Sequence, residues 1–499
     1  MAKKTAVIDL GSNSIRMVIF ERTSRYGFYI CSEYKKKVRL GENAYNNNKI
    51  LQNEAMYKAE QTLAFFKEKA LKEKCAKIIA VGTSALRDAP NSKEFIKRIS
   101  QNIALNIRCI NGKTESFLGG LAALNLLSNI QNATTIDIGG GSTELCLIKD
   151  GKIVDCLSLD IGTVRLKELF YDQKKFSALN NFIQEILLQV PKKFQNDNII
   201  AIGGSLRAIS NSIMKKNSYP LKMLHNFCYE VEKEKNHIEK ILNAKNLIDF
   251  SIKKDRFDTI KEGCAIFLAL LKNLKAKQVI TSTVGVREGV FLSNIFNKHE
   301  KIKEDTSDFT KFNANFPPNF NPSLKSLQDR FNTNYPSKCA YFANKIFESL
   351  KPLHKIENLY KANLLDAAKI SLIGERLNFY FSNEHSSYMA LNGLNFGYSH
   401  KDLVLISTLL KLGGKKFNPY SIEHFKNLLP HTHIISWLNF ILALAKRLAK
   451  DTNENLEFEL KNHTLYIYCD KKNIYFSKEE IKKIAKPKLI VLAFNQKAQ

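Results

Sequence analysis

Twice in this chain a short apolar strand carries an aspartate two residues before a glycine, turns through small polar residues, and resumes as a second apolar strand. The first copy is Val7-Ile8-Asp9-Leu10-Gly11-Ser12-Asn13-Ser14-Ile15-Arg16-Met17-Val18-Ile19-Phe20; the second is Thr135-Ile136-Asp137-Ile138-Gly139-Gly140-Gly141-Ser142-Thr143-Glu144-Leu145. Glycines at a strand end let backbone N–H groups face an anion with no Cβ in the way, and hydroxyls stand beside them. Such a turn is a phosphate cradle. Asp137 and Glu144 carry the wrong charge to touch phosphate, so their place beside it points to a divalent cation, Mg²⁺, between carboxylate and phosphate oxygens. One copy alone reads equally as a tight β-hairpin with solvated carboxylates. Two copies imply a duplicated α/β fold, with pseudo-equivalent lobes facing one another across a cleft.

A chain of 499 residues exceeds one core, and length suggests roughly three domains. The net charge of +28 predicts attraction to polyanions, although lysines scattered among asparagines also reflect composition. The nine cysteines form no CxxC pair and read as reduced core residues. Behind Met1-Ala2-Lys3-Lys4 the apolar run is broken by Asp9 and Gly11, unlike a signal-peptide core. The apolar helix around Ile434 to Ala445 is interrupted by Asn439 and is too short to span a bilayer. A soluble cytoplasmic protein is expected.

Between the two turns, a strand from Lys77 to Val81 runs into Gly82-Thr83-Ser84-Ala85-Leu86-Arg87, whose hydroxyls and arginine fork suit phosphate. It forms a third side of the cleft. A basic loop is expected through Lys35-Lys36-Lys37. After Asn111-Gly112 a helix begins with Glu115 in its first turn, where a carboxylate serves the helix dipole. At a strand end beside phosphate loops, the same carboxylate can orient and deprotonate a water. Arginine recurs at glycine turns as Arg16, Arg87, Arg165, Arg207 and Arg287; Arg165 and Arg207 read equally as surface ion-pair partners. Residues 297–322, rich in Asn and Pro, read as a linker, followed by helical periodicity to about Lys450 and a small β appendage.

Several ordered motifs together resemble the exopolyphosphatase and guanosine pentaphosphate phosphohydrolase (Ppx/GppA) family of the sugar kinase, heat-shock protein 70 and actin superfamily. They are Ile8 to Ser14, Gly82 to Ala89, Gly112 to Ser116, Ile136 to Leu145, and Arg287-Glu288-Gly289. The resemblance implies two ribonuclease-H-like lobes, 1–128 and 129–300, a linker over 301–322, and a third domain over 323–499. It implies Mg²⁺-dependent hydrolysis of a terminal phosphoanhydride. Glu115 matches the catalytic glutamate, and Asp137 and Glu144 match acidic residues near the metal. Asp9, Gly11, Ser12, Asn13, Ser14, Arg16, Thr83, Ser84, Arg87, Gly139, Gly140, Gly141, Ser142, Thr143 and Arg287 match the phosphate-binding side.

The C-terminal part resembles an HD-type domain through Glu384-His385 and Gly397-Tyr398-Ser399-His400, yet Ser371-Leu372 stands where the His-Asp pair would be. An HD metal site is therefore not expected there. The implied partners are inorganic polyphosphate and guanosine penta- or tetraphosphate, with a homodimer and neither membrane nor specific nucleic acid. A small-molecule kinase of the same superfamily, or a non-catalytic polyphosphate or alarmone sensor, are the competing readings. Both substrates present the same terminal anhydride, so the sequence does not separate them.

Overall fold

Strand β1 (Lys3–Leu10) reads as a nearly unbroken apolar run because it is central: it pairs antiparallel with β2 (Ser14–Arg22) and parallel with β4 (Lys77–Gly82). The structure is a computed structural model describing residues 3–296, 315–331, 336–451, 456–469 and 475–496. It divides into two compact units, Met1–Phe320 and Asn321–Gln499. In the first unit, one sheet runs β3-β2-β1-β4-β5, with β3 at Phe28–Lys37 and β5 at Ile107–Cys109. Lys35, Lys36 and Lys37, expected in a loop, extend β3 instead, because Ser14, Ile15 and Arg16 of β2 supply ladder partners for them. Helices α1 (Asn53–Lys72), α2 (Ser84–Asp88), α3 (Ser92–Ile103) and α4 (Gly112–Leu126) complete this half; α1 buries Met56, Ala59, Leu63, Phe66 and Ala70 along one stripe.

The second sheet repeats the plan in the order β10-β11-β9-β6-β7-β8. Its strands are β6 (Ala133–Ile138), β7 (Thr143–Lys149), β8 (Lys152–Leu159), β9 (Asn198–Ile202), β10 (Cys228–Glu230) and β11 (Gln278–Thr281). The helices are α5 (Thr163–Leu166), α6 (Phe176–Leu188), α7 (Gly204–Lys216), α8 (Val231–Asn243), α9 (Ile260–Asn273) and α10 (Val286–Phe296). Each sheet is thus a three-stranded antiparallel meander extended by two parallel strands, with β10 added antiparallel at the far edge of the second, which is the duplication anticipated from the repeated turns.

Two helices tie the halves together. α4 leaves the first sheet and packs on β7 and β8 of the second, while α10 leaves the second and packs on β1 and β2, stacking Phe291 on Phe20 at 4.1 Å. α4 and α10 also cross each other, and a Cβ on Gly289 would lie 2.0 Å from the carbonyl oxygen of Leu118. Only glycine permits that approach.

In the second unit, α11 (Pro322–Phe331), α12 (Pro336–Ser349), α13 (Lys351–His354), α14 (Asn358–Lys369), α15 (Ser382–Gly393), α16 (His400–Leu412) and α17 (Thr432–Asp451) enclose a core that includes Trp437, Phe440, Phe342 and Phe347. α16 opens with a capping box between Ser399 and Asp402. A three-stranded sheet of β12 (Glu457–Lys461), β13 (Thr464–Cys469) and β14 (Val491–Gln496) with α18 (Tyr475–Lys482) forms the small appendage. Most of the expected linker, 297–314, lies outside the described residues; Asn315 to Phe320 has no helix or strand. Ser371 is buried and donates to the Ala368 carbonyl, and the ammonium of Lys446 bonds the Ser371 carbonyl at 3.2 Å and Asn383 Oδ1 at 3.1 Å. No helix among the described residues is long and apolar enough to cross a membrane.

Candidate active site

The two glycine turns close with the same bond. Gly11 N–H donates to the Ser14 carbonyl at 3.3 Å, and Gly139 N–H donates to the Ser142 carbonyl at 3.0 Å. In register, Asp9 faces Arg16 across the first hairpin and Asp137 faces Glu144 across the second. The turns meet at the centre of the first unit: a Cβ on Gly140 would stand 2.8 Å from Ser12 Cβ. Between them lies a narrow cleft of about 140 Å³, lined by Asp9, Gly11, Ser12, Asn13, Ser14 and Arg16 from one side and Asp137, Gly139, Gly140, Ser142 and Glu144 from the other. Thr83, Ser84, Glu115 and Arg287 complete the lining that sequence reading singled out.

Three residues expected to touch phosphate lie elsewhere. Arg87 sits behind the lining, where its guanidinium donates to Glu115 Oε2 at 2.8 Å and to Ser142 Oγ at 3.2 Å. Thr143 is buried and its hydroxyl is spent on the Ile161 carbonyl at 2.6 Å. Gly141 is sealed off, since a Cβ there would meet Tyr45 Oη at 1.9 Å, and its carbonyl accepts from Arg165 Nε at 2.8 Å. Arg165, for its part, is a buried tie between halves, bonding Asp88 at 2.7 Å.

Other groups enter the lining with weaker sequence signals. The strand-end turn at Gly203, Gly204 and Ser205 contributes, as do Thr163, Arg207 and Arg256. Arg207 is oriented by a 2.8 Å bond to the Thr283 carbonyl, and a Cβ on Gly204 would fall 2.5 Å from the Arg256 guanidinium. The strand-glycine-arginine pattern marked Arg207; Arg256 sits in a 3₁₀ turn, Lys254–Arg256, and carries no motif.

The electrostatics of the site are those of like charges crowded together. Asn111 caps α4 by accepting from Thr114 N–H at 2.8 Å, which leaves Glu115 free to turn into the cleft. Burial pushes the Glu115 carboxyl up to about 7 against the pull of Arg87. Burial likewise lifts Asp137 to about 6, with Arg207 opposing and Asp9 reinforcing. Asp9 and Glu144 are raised too, by burial and, for Glu144, by Glu115 next. Glu144 Oε1 accepts from Ser142 Oγ at 2.6 Å and Ser158 Oγ at 2.9 Å, whereas Asp9 Oδ1 is buried with no hydrogen-bond partner. On the cationic side, burial and then the guanidiniums of Arg207, Arg287 and Arg256 press Arg16 down to about 9. A polyanion relieves the second crowding and a small cation the first.

The halves are clasped at the cleft mouth. Lys35 reaches Asp255 at 3.3 Å, Lys37 and Arg39 share Asp258 at 2.7 and 2.8 Å, and Arg287 bonds Glu33 at 2.9 Å. On another side, Glu168 accepts the backbone N–H groups of Asn43 and Tyr45 at 2.6 and 3.2 Å.

The sequence profile of the Ppx/GppA phosphatase family matches residues 18–298, more than half of the chain. The chain belongs to this family. Solved structures agree: the Ppx/GppA family member of Aquifex aeolicus is 25% identical with a TM-score of 0.51, covering 60% of this chain and 100% of its own. An exopolyphosphatase of Cytophaga hutchinsonii, 20% identical, has the same fold, with a TM-score of 0.54 over 59% of this chain and 98% of its own. Membership places the chain among phosphatase-type hydrolases that act on polyphosphate or nucleotide-phosphate substrates, on an actin-like α/β fold.

Proposed function

We propose that this protein removes the terminal phosphate from a condensed phosphate chain, inorganic polyphosphate or guanosine pentaphosphate, in the presence of Mg²⁺. The observation that carries it is Glu115: a largely enclosed carboxyl group, held by Arg87 at 2.8 Å and lining a cleft walled by two glycine turns, whose burial lifts it to about 7. A general base is most effective when its pKa lies near the working pH. The two glycine turns and the Arg16, Arg207, Arg256 and Arg287 guanidiniums hold the terminal phosphoryl group and stabilise the charge that spreads over its oxygens. Glu115 then orients a water in line with the scissile P–O bond and takes its proton. The water oxygen bonds to phosphorus as the anhydride bond breaks, and the shortened chain leaves with the bridging oxygen.

The donor set fits Mg²⁺. Among the described residues no three His, Cys, Asp or Glu side chains form a metal-binding group, but Mg²⁺ characteristically takes one or two carboxylates and fills its shell with substrate phosphate and water. Asp137 and Glu144 are the assigned holders, and Asp9, with its orphaned oxygen, faces the same space. When bound, the ion supplies charge neutralisation between carboxylates and phosphate. The second unit we read as a degenerate HD-like domain in which Lys446 puts a fixed ammonium beside Ser371.

The deciding experiment is phosphate release from polyphosphate and guanosine pentaphosphate, side by side, with Mg²⁺ and with chelator. Release from neither substrate under Mg²⁺ refutes the reading. Glu115→Gln should lower turnover by at least about a hundredfold while retaining substrate binding.

A further inference from the structure

The segment between β3 and α1 carries no phosphate motif, yet one of its side chains reaches all three turns around the cleft. The N–H groups of Arg39 and Gly41 donate at 2.9 Å to the carbonyls of Asn13 and Ser12, which lays the segment along the first glycine turn. From the other half, Glu168 accepts the N–H groups of Asn43 and Tyr45. Held from both sides, the Tyr45 ring lies beneath the Arg165 guanidinium, whose carbon is 4.7 Å from the ring centroid.

The Tyr45 hydroxyl ends where the turns converge. Tyr45 Oη and Ser84 Oγ flank Gly141 of the second turn so closely that an added Cβ would stand 1.9 Å from one and 2.1 Å from the other. Ser84 Oγ lies 3.4 Å from Ser12 Oγ of the first turn. Both serines line the cleft, with Tyr45 behind them. The phenol oxygen is buried and has no hydrogen-bond partner, an unfavourable state for a polar group. Burial raises the phenol above its ordinary pKa, against the pull of Ser84, Arg165 and Ser12, so it keeps its proton and is a donor.

A serine hydroxyl has one proton to give and two lone pairs to accept with. When Ser12 and Ser84 bond only each other, one of their two protons is spent between them. A donor behind Ser84 supplies the bond that its oxygen would otherwise take from Ser12, and both serine protons then point into the cleft.

We propose that Tyr45 is a positioning residue for the reaction: as a phosphate enters, the phenol donates to Ser84 Oγ and aims the protons of Ser84 and Ser12 at the phosphate oxygens. It rests on the phosphate-releasing function proposed above. The competing reading is that the ring is only a spacer between the lobes and its hydroxyl is idle.

Tyr45→Phe tests the hydroxyl alone, since it keeps the ring beneath Arg165. In the full-length enzyme with Mg²⁺ and inorganic tripolyphosphate, KM should rise about fivefold to tenfold, the range for losing one hydrogen bond, and by more than kcat falls. The melting temperature should hold or rise, because a buried unpaired oxygen is removed. Added to Ser84→Ala, the same substitution should change KM by less than about twofold, since the phenol then has no serine to act through. An unchanged KM in Tyr45→Phe, a KM effect that persists in full beside Ser84→Ala, or a lowered melting temperature with a matching loss of kcat overturns the proposal in favour of the spacer. A readout free of turnover comes from Glu115→Gln, where adding Tyr45→Phe should weaken the calorimetric Kd for tripolyphosphate by the same factor. If the unsubstituted enzyme releases no phosphate, the hydrolase reading fails while that ratio of Kd values still decides the role of Tyr45; tripolyphosphate that binds neither protein overturns both.

Discussion

Arg87 Nη1 lies 2.8 Å from Glu115 Oε2, and of the two only the glutamate lines the cleft. The arginine fork that looked made for phosphate is engaged with the glutamate and with Ser142 Oγ. Burial drives Glu115 up to about 7, and Arg87 is the largest force pulling it down.

Arg87→Met should therefore act on chemistry more than on binding. With its guanidinium gone, Glu115 holds its proton to higher pH, so the acidic limb of kcat/KM against pH moves upward by a unit or more. At pH 7 kcat falls about tenfold to a hundredfold, while KM changes little. An unmoved limb with a large rise in KM would return Arg87 to the role of phosphate ligand.

Arg207 tests the opposite case, a residue whose guanidinium does line the cleft and is buried among like charges. Arg207→Met should raise KM by roughly tenfold to a hundredfold, the range for losing a charge-assisted contact, and make KM less sensitive to salt. Steady-state KM at two ionic strengths decides it. An unchanged KM would show that the substrate does not reach this wall.

Much of the fold and part of the site were legible because they repeat. Asp9 with Gly11 and Asp137 with Gly139 announce two equivalent hairpins, and the two sheets share a strand order around them. Glu115 was legible because a strand end fixes where the first turn of α4 projects. Spacing alone does not reveal direction, however. Arg87 follows a phosphate-like turn but faces a carboxylate, and Thr143 carries the right hydroxyl on the strand's wrong side. Arg256 was beyond reading, since only the folding of residues 253–258 against β3 brings it to Gly204. The lysines of β3 were mistaken for a loop because their ladder partners lie in the neighbouring hairpin strand.

Glu262 predicts a pH dependence of stability independent of catalysis. It is buried in the first turn of α9, and burial lifts its carboxyl from 4.5 to about 7. Below pH 4.5 the group is protonated in folded and unfolded chains alike. As pH rises from there the unfolded chain releases its proton first, so the folded state loses stability until Glu262 itself ionises near 7. Glu262→Gln should remove that loss, raising stability above pH 7 by up to about 3 kcal/mol and leaving it unchanged near pH 4. Thermal melts at pH 4 and pH 8 check this. An equal gain at both would assign the effect to packing.

The crossing of α4 and α10 depends on one missing methyl group. At Gly289 an added Cβ would meet the Leu118 carbonyl oxygen at 2.0 Å, its carbon at 2.6 Å and its Cα at 2.9 Å, all backbone atoms that have no rotamer into which to retreat. The two helices must separate to admit it, and each is packed on the opposite half's sheet, so the strain spreads through the Phe20–Phe291 stack into both lobes. Overpacking of this kind costs about 1–3 kcal/mol. Gly289→Ala should lower the melting temperature by several degrees and also depress kcat, because α10 begins at Val286 beside the cleft residue Arg287 and α4 carries Glu115. A variant that melts and turns over like the parent would mean that the helices do not fix the spacing of the catalytic walls.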